Sequence, residues 1–279
     1  MAIEKAKRYV PILDAKYVES SKTSILDSTE EAKYIAEANT FLVADRDFDG
    51  LADYDRENGY DKGGVNVNWT PYVVDYDRGK MLIVDERDNE ESAGMAFLGL
   101  AGQFMDEKVT PELDSVRIAK YATKAGKKEN ETLTTGANLM TALRKAATYM
   151  ANKKVPVDGR VLYISNTHLG MIEDLDSYKS KAVLAKFGTV VAMPDEEFVD
   201  TCTTTKGGFT LGGNFLNFLV VSKKSVIQHL THVAPKIVTP EQNQDADAYK
   251  YGYRIVGICD VYKNKTDGIY ASVGAAVSQ

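Results

Sequence analysis

Residues 93–105 form an almost unbroken apolar run, with Gln103 its only polar side chain. Ahead of it, Asn89 can serve as an N-cap, and Glu90 and Glu91 supply the negative charge that a helix N-terminus favours. A helix that is apolar on every side has to be buried on every side. Spanning a bilayer takes roughly 20 such residues, so this shorter run predicts a central core helix, extending over 89–124. Gly94, Gly99 and Gly102 should each cost about 1 kcal/mol relative to Ala there, unless a neighbouring backbone approaches closely. Pro111 should kink or restart the helix, and Leu113, Val116, Ala119 and Ala122 recur beyond it at helical spacing.

The chain ahead of this helix reads differently. Residues 1–38 scatter short apolar pieces (Tyr9, Val10, Ile12, Leu13; Ile25, Leu26) among Lys, Ser and Glu, with one or two amphipathic turns over 30–38. Such a segment cannot bury enough surface by itself, but it is too apolar for a solvating tail, so it reads as an arm lying on something else. A strand follows at 40–44, then the acidic, Gly-rich stretch 45–64, alternation at 65–68 and a second strand at 80–85. Together these predict an extended hairpin over about 40–85. An excursion of this length with so little apolar content points to function. Its aromatics, Trp69, Tyr72 and Tyr76, suit an interface better than a core.

Behind the helix the pattern is mixed α/β. A helix is predicted over 135–154, with Leu139, Leu143, Ala146, Ala147 and Met150 on one face, then a buried strand over 160–165 and a short helix over 166–174. Strands follow at 188–192 and 215–221, a helix at 223–230, and strands at 235–239, 251–262 and 268–273.

The composition, 44% hydrophobic and 27% charged over 279 residues, is that of a globular protein large enough for a sizeable core. A formal charge of −6 argues against function by phosphate neutralisation. Cys202 and Cys259, far apart and without CxxC spacing, read as free thiols. The first residues carry no apolar core of a signal peptide, and no later run predicts a membrane span.

Candidate chemistry is sparse. Asp45, Asp47, Asp49, Gly50 and Asp53 fit the first, third, fifth, sixth and ninth positions of an EF-hand loop, but Arg56 occupies the twelfth, where a bidentate Glu belongs. A strand also stands where a helix should precede the loop. Asp45, Asp47 and Asp49 remain weak candidates for a divalent cation, with a solvated or interface loop the simpler reading. Residues 206–214 imitate a phosphate loop but lack its Lys, which leaves a surface loop or hairpin. His229 and His232 have no third ligand at suitable spacing, and no Ser stands in a nucleophile elbow. Glu112 and Asp114 read as first-turn acids of the helix after Pro111. No cofactor is implied.

Three stretches carry a specific similarity: DGLADYDRENGYDKGGVNVNWTPYVVDYDRGK (49–80), the segment 88–122 with its VTPELDSVR core, and DAYKYGYRIVGICDVYKNKTDGIY (247–270). In this order they resemble the major capsid proteins of tailed bacteriophages, built on the Hong Kong 97-type fold. The resemblance implies an α+β chain in five parts: an N-terminal arm (1–39), an E-loop hairpin (40–86), a P domain with the spine helix (87–133), an α/β A domain (134–233), and a return to the P domain with closing strands (234–279). It implies a structural protein, not an enzyme, that assembles into hexamers and pentamers of an icosahedral shell packaging double-stranded DNA. Implied partners are further copies of the chain, a portal protein, a separate scaffolding protein, a decoration protein and, non-specifically, the packaged DNA, with no membrane. The implied location is the virion, after assembly in the bacterial cytoplasm. Subunit-interface candidates are then Asp53, Tyr54, Arg56, Tyr60, Trp69, Tyr72 and Arg78. Spine-helix packing falls to Gly94, Gly99, Gly102, Phe97, Phe104 and Pro111. Some relatives lock their shells with Lys–Asn bonds; Lys62 with Asn243 or Asn264 offers the residue types, but no motif fixes a pair and no crosslink is expected. Two rivals stand beside this reading: an encapsulin-like compartment shell, and a divalent-metal enzyme using the 45–53 cluster.

Overall fold

The computed structural model describes residues 21–27, 33–35, 40–54, 56–57, 59–60, 62–91, 99–175 and 178–277, with the backbone alone at 33–35, 47, 90 and 91. Gly94 and Phe97 lie outside the described residues, as does most of the predicted arm.

Strand β6 (Arg160–Ser165) is buried at every position, which explains why its middle, 161–164, reads as continuously apolar. Its side chains alternate between two cores. Val161 and Tyr163 face one with Ile118 and Tyr121, while Leu162 and Ile164 face another with Leu139, Leu143 and Met150. β6 belongs to a six-stranded sheet ordered β5 (Lys127–Asn130), β12 (Ile269–Ala276), β9 (Gly208–Ser222), β6, β7 (Thr189–Met193), with β8 (Val199–Thr205) on the first half of β9. One face carries α4 (Gly136–Asn152), α5 (Asn166–Glu173) and α6 (Tyr178–Leu184). Thr135 caps α4 by accepting from the Asn138 backbone N–H at 3.3 Å.

The other face carries the long helix. It runs as α2 (Leu100–Phe104), a π turn (Met105–Val109) and α3 (Thr110–Thr123), after a short α1 (Glu86–Glu91). Ile118, Tyr121 and Ala122 of α3 pack on the six-stranded sheet. Leu113 and Val116 pack on a second sheet, ordered β10 (Val226–Val238), β11 (Ala248–Val261), β4 (Tyr76–Asp85). α3 is thus clamped between two sheets, whereas α2, within the apolar run, has no fully buried residue, and 93–98 lie outside the described residues.

Pro111 does not break it. Proline removes one N–H and crowds the carbonyl four residues back; here the turn before it is widened, with the Thr110 N–H reaching the Met105 carbonyl five residues back. The helix does not run unbroken from Asn89, because Gly99 sits ahead of Leu100 with φ 81°. A Cβ there would meet nothing within 4 Å, so its backbone conformation, not close packing, is what calls for glycine.

A third sheet, β1 (Lys33–Ile35), β2 (Thr40–Phe48), β3 (Val65–Val73), stands apart. The predicted hairpin is shorter than 40–85. β2 and β3 pair from Thr40↔Val73 to Phe48↔Val65, and β4 leaves to pair with β11. Residues 33–35 form a strand rather than amphipathic helical turns. The predicted helix at 223–230 is a short 3-10 turn (Lys223–Ser225) entering β10, whose pairing with β11 runs from Val226↔Val261 to Val238↔Lys250.

Candidate assembly interface

Two polar arrangements hold the body together. Asp114, buried on α3, accepts four hydrogen bonds from the N-terminal segment: Ser21 Oγ (2.7 Å), Lys22 N (2.9 Å), Thr23 N (3.3 Å) and Thr23 Oγ1 (2.6 Å). One turn on, Arg117 Nη1 donates to Thr23 Oγ1 at 2.9 Å. From β10, Gln228 Nε2 donates to the Thr23 carbonyl (2.8 Å) and to Asp27 Oδ1 (2.7 Å), and the Gln228 carbonyl accepts from Tyr121 Oη at 2.6 Å. Lys22 Nζ reaches the Ala192 carbonyl at 2.8 Å, and Leu26 enters the core beside Ile118 and Tyr121. Residues 21–27 thereby tie α3 to both neighbouring sheets. Glu112 is the first-turn acid expected of this helix, Asp114 stands a further two residues on, and both side chains are buried. Interruption of an apolar stripe by Asp114 and Arg117, three apart, was the available sequence signal.

In the second arrangement, Glu112 accepts from Arg78 Nε at 2.7 Å and from Tyr76 Oη at 3.3 Å, while Arg78 Nη2 donates to the Gly208 carbonyl at 2.9 Å. The Glu112 carboxylate holds the Arg78 guanidinium above its ordinary pKa. Within this chain Arg78 thus joins β4 to α3 and β9. Nearby, burial pushes the Cys202 thiol up to about 11.

The β2–β3 ribbon contrasts with this body. Residues facing each other across an antiparallel pair share a face. Val65, Val67, Trp69 and Val73 of β3 therefore lie with Phe48, Arg46, Ala44 and Thr40 of β2. Phe48, Val65, Val67, Trp69 and Val73 on this face are all exposed, Trp69 by 55%. Soluble chains rarely leave such a contiguous apolar strip uncovered unless it binds something. The opposite face is polar towards the tip, where Asn66 and Asn68 lie, and buried at the base. There Phe41 and Tyr72 join Ile227, Val256 and Ile258. Tyr72 is only 6% exposed, and its hydroxyl accepts from the Lys263 N–H at 3.1 Å. Within this chain it is a core residue at the ribbon's base, a correction to its expected place at a subunit surface.

Of the other interface candidates, Asp53, Tyr54, Arg56 and Tyr60 sit exposed around the tip, with the Tyr54 and Tyr60 rings edge-to-face at 5.0 Å. Phe104 touches Tyr251 edge-to-face at 6.4 Å, and Gly102 lies half-buried in α2. The acid cluster lies on a strand: Asp45 and the aspartate at 47 are in β2, and Asp49 follows it. Asp45 accepts from Asn264 Nδ2 at 3.0 Å, and Asp49 from the Gly64 N–H at 2.6 Å. Among the described residues no three His, Cys, Asp or Glu side chains gather as a metal site. Residues 206–214 form the turn and the first part of β9 in the β8–β9 hairpin.

No protein-family model and no curated protein sequence matches the chain. Solved structures do. The capsid of Cyanophage P-SCSP1u superposes with a TM-score of 0.62 at 12% identity, covering 90% of both chains. The mature capsid of bacteriophage PhiM1 gives 0.62 at 11% identity over 87% of this chain and 84% of that one. A virus-like particle from Pyrococcus furiosus gives 0.61 at 11% identity over 95% and 99%. Sequence divergence is deep, yet the likeness runs over most of the length of each chain: the chain has the Hong Kong 97-type fold of the tailed-phage major capsid proteins.

Proposed function

We propose that this chain is a structural shell subunit, the major capsid protein of a tailed bacteriophage. It assembles through hexamers and pentamers into an icosahedral shell that packages double-stranded DNA, in the virion and without enzymatic activity. The observation that carries this reading is the exposed apolar face of β2–β3 on a chain with a capsid-type fold. A two-stranded ribbon is marginal alone, and a neighbouring copy gives it the missing surface. In these terms residues 1–39 act as the arm and 40–86 as the E-loop. Residues 87–133 with 234–279 form the P domain, and 134–233 the A domain. β10 and β12 qualify that division: β10 spans the 233/234 boundary, and β12 returns to the six-stranded sheet. A portal, a separate scaffolding protein and a decoration protein are the partners this role calls for.

Likeness to the Pyrococcus furiosus particle supports a second reading, a compartment shell without a genome. Electron microscopy of particles purified from the chain's native source, with nuclease-protected nucleic acid measured alongside, separates the two. DNA-filled shells with one distinct portal vertex fit the capsid reading. Shells enclosing protein alone fit the second, and a chain that never forms particles contradicts both.

A further inference from the structure

Strand direction brings four turns of the chain to one end of the six-stranded sheet. Arg160↔Ser222 pairs the start of β6 with the end of β9, and Val161↔Thr189 sets the start of β7 beside them. Ile269↔Val221 adds the start of β12. The Lys223 N–H donates to the Gly159 carbonyl at 2.9 Å and the Tyr262 N–H to the Ser225 carbonyl at 3.0 Å, which ties these turns together. They carry Lys154, Lys186, Lys223, Lys224, Lys263 and Lys265, all exposed. None of the six has a carboxylate partner among the described residues. Lys124 and Lys153, also at this end, are neutralised by Asp260 and Asp267. Counting Arg160, seven cations then stand against Asp158, a formal +6 on a chain whose net charge is −6.

Two features show that positive charge is kept here against a cost. Lys154 has φ 59°, the one non-glycine residue in left-handed backbone among the described residues. It closes the last turn of α4, its N–H reaching the Ala151 carbonyl and the Val155 N–H the Met150 carbonyl, both at 3.0 Å. Glycine takes that place without strain, so a lysine there holds a charge against the local conformational preference. Arg160 is 3% exposed. Its guanidinium donates to backbone, from Nε to the Pro156 carbonyl at 3.0 Å and from Nη2 to the Val155 carbonyl at 2.5 Å, and no carboxylate meets it among the described residues. A buried cation without a counter-charge gains from an anion brought close.

The chemistry suits phosphates better than a protein. Protein interfaces are built around a desolvated apolar centre, rich in aromatic residues and poor in lysine. Here Val157 is the strongly exposed large apolar side chain, and lysines surround it. The strands β5, β12, β9, β6 and β7, about 4.8 Å apart, give the edge a width of about 19 Å. Over that length a DNA duplex carries about eleven phosphate charges. Lysines on flexible stems meet such a backbone as point charges and read no bases.

Resting on the shell reading above, we propose that this end of the sheet faces the interior and is the chain's contact with the packaged duplex, gripping phosphates without regard to sequence. Each subunit's contact is weak and salt-labile, so a shell can line itself with it without locking its contents in place.

The test is binding of a short, labelled DNA duplex of mixed sequence to the full chain below its assembly concentration, read by fluorescence anisotropy. Affinity should fall about 500-fold or more from 50 to 200 mM salt, as contact with five or more phosphates requires. Lys186→Glu, Lys223→Glu, Lys224→Glu and Lys263→Glu together should leave folding unchanged by thermal unfolding, weaken binding at least tenfold and flatten the salt dependence. The same charge change elsewhere, by Lys80→Glu, Lys108→Glu, Lys206→Glu and Lys236→Glu, should alter affinity less than threefold. Lys154→Gly should raise the unfolding midpoint while weakening binding about twofold, a pairing that a purely structural lysine would not give. Undetectable duplex binding by the unaltered chain, or equal affinities of the two four-lysine variants, overturns the proposal. Displacement of the duplex by polyglutamate as readily as by unlabelled DNA also overturns it, and assigns the edge to an acidic protein. Particles of the unaltered chain, seen by electron microscopy, leave the shell reading intact in each of these cases. Their absence overturns that reading and the assignment of packaged DNA with it.

Discussion

The segment at 21–27 and the β2–β3 ribbon are both peripheral pieces of chain, yet they are built on opposite principles. The first is short and polar in sequence, and the fold satisfies it internally: Asp114, Arg117 and Gln228 take up its hydrogen bonds, and Leu26 is buried. The second is richer in apolar side chains, and its fold leaves a whole face of them uncovered. Buried polar groups are costly only when unpaired, so the first segment is complete within one chain. Exposed apolar surface gains stability from a partner, so in the proposed shell role the second is completed between chains. Hydrophobicity alone would have ranked the two segments the wrong way round.

Changes that break this contrast should differ in size. Asp114→Ala removes the acceptor of four hydrogen bonds and leaves Arg117 buried beside the gap. It should destabilise the isolated chain by about 3 to 5 kcal/mol, read by denaturant unfolding. Gly99→Leu forces a branched side chain into left-handed backbone and should cost about 1 to 2 kcal/mol, whereas Gln103→Ala, at an exposed site, should stay within about 0.5 kcal/mol. Equal stabilities for these two would remove the conformational role assigned to Gly99.

A smaller, pH-dependent effect should come from His168. Its Nδ1 lies 2.6 Å from Ser165 Oγ, and burial holds its pKa below the ordinary 6.5. Below 6.5 the unfolded chain binds the proton more readily than the folded one, so stability is full above that value and declines as pH falls from it towards the folded pKa. A midpoint series through this window should show the decline, and His168→Gln should flatten it. The smallest effect on the isolated chain should come from the ribbon: Trp69→Ser should change unfolding by less than about 0.5 kcal/mol while lowering particle yield.

Much of the body was legible from periodicity. The apolar face of 135–154 and the apolar run 161–164 within the strand expected at 160–165 fall where α4 and β6 stand, because burial on one face or on both leaves its own sequence period. The failures are those of tertiary context. Two lysines in the turn ahead of β10 (Lys223–Ser225), with His229 and His232 three apart within it, imitate an amphipathic helix. Twelve paired positions with β11 outweigh that local signal. β8 was invisible because its Thr-rich sequence packs against β9 with most side chains in solvent. Pro111 signalled a break, since a π turn that accommodates it has no sequence signature. Of the proposed interface residues, Trp69, Tyr54 and Tyr60 are exposed in the single chain. Tyr72 and Arg78 could not be separated from them, because their partners, the Lys263 N–H and Glu112, lie far along the chain.

The central claim is that the ribbon is the part of this molecule completed only by assembly. The most direct measurement compares the unaltered chain with one in which residues 49–64 are replaced by a short Gly-Ser turn, by electron microscopy and unfolding in parallel. The account predicts closed shells from the first, and from the second a chain of the same stability that forms none. Full-size shells from the shortened chain, or its failure to fold, would contradict it.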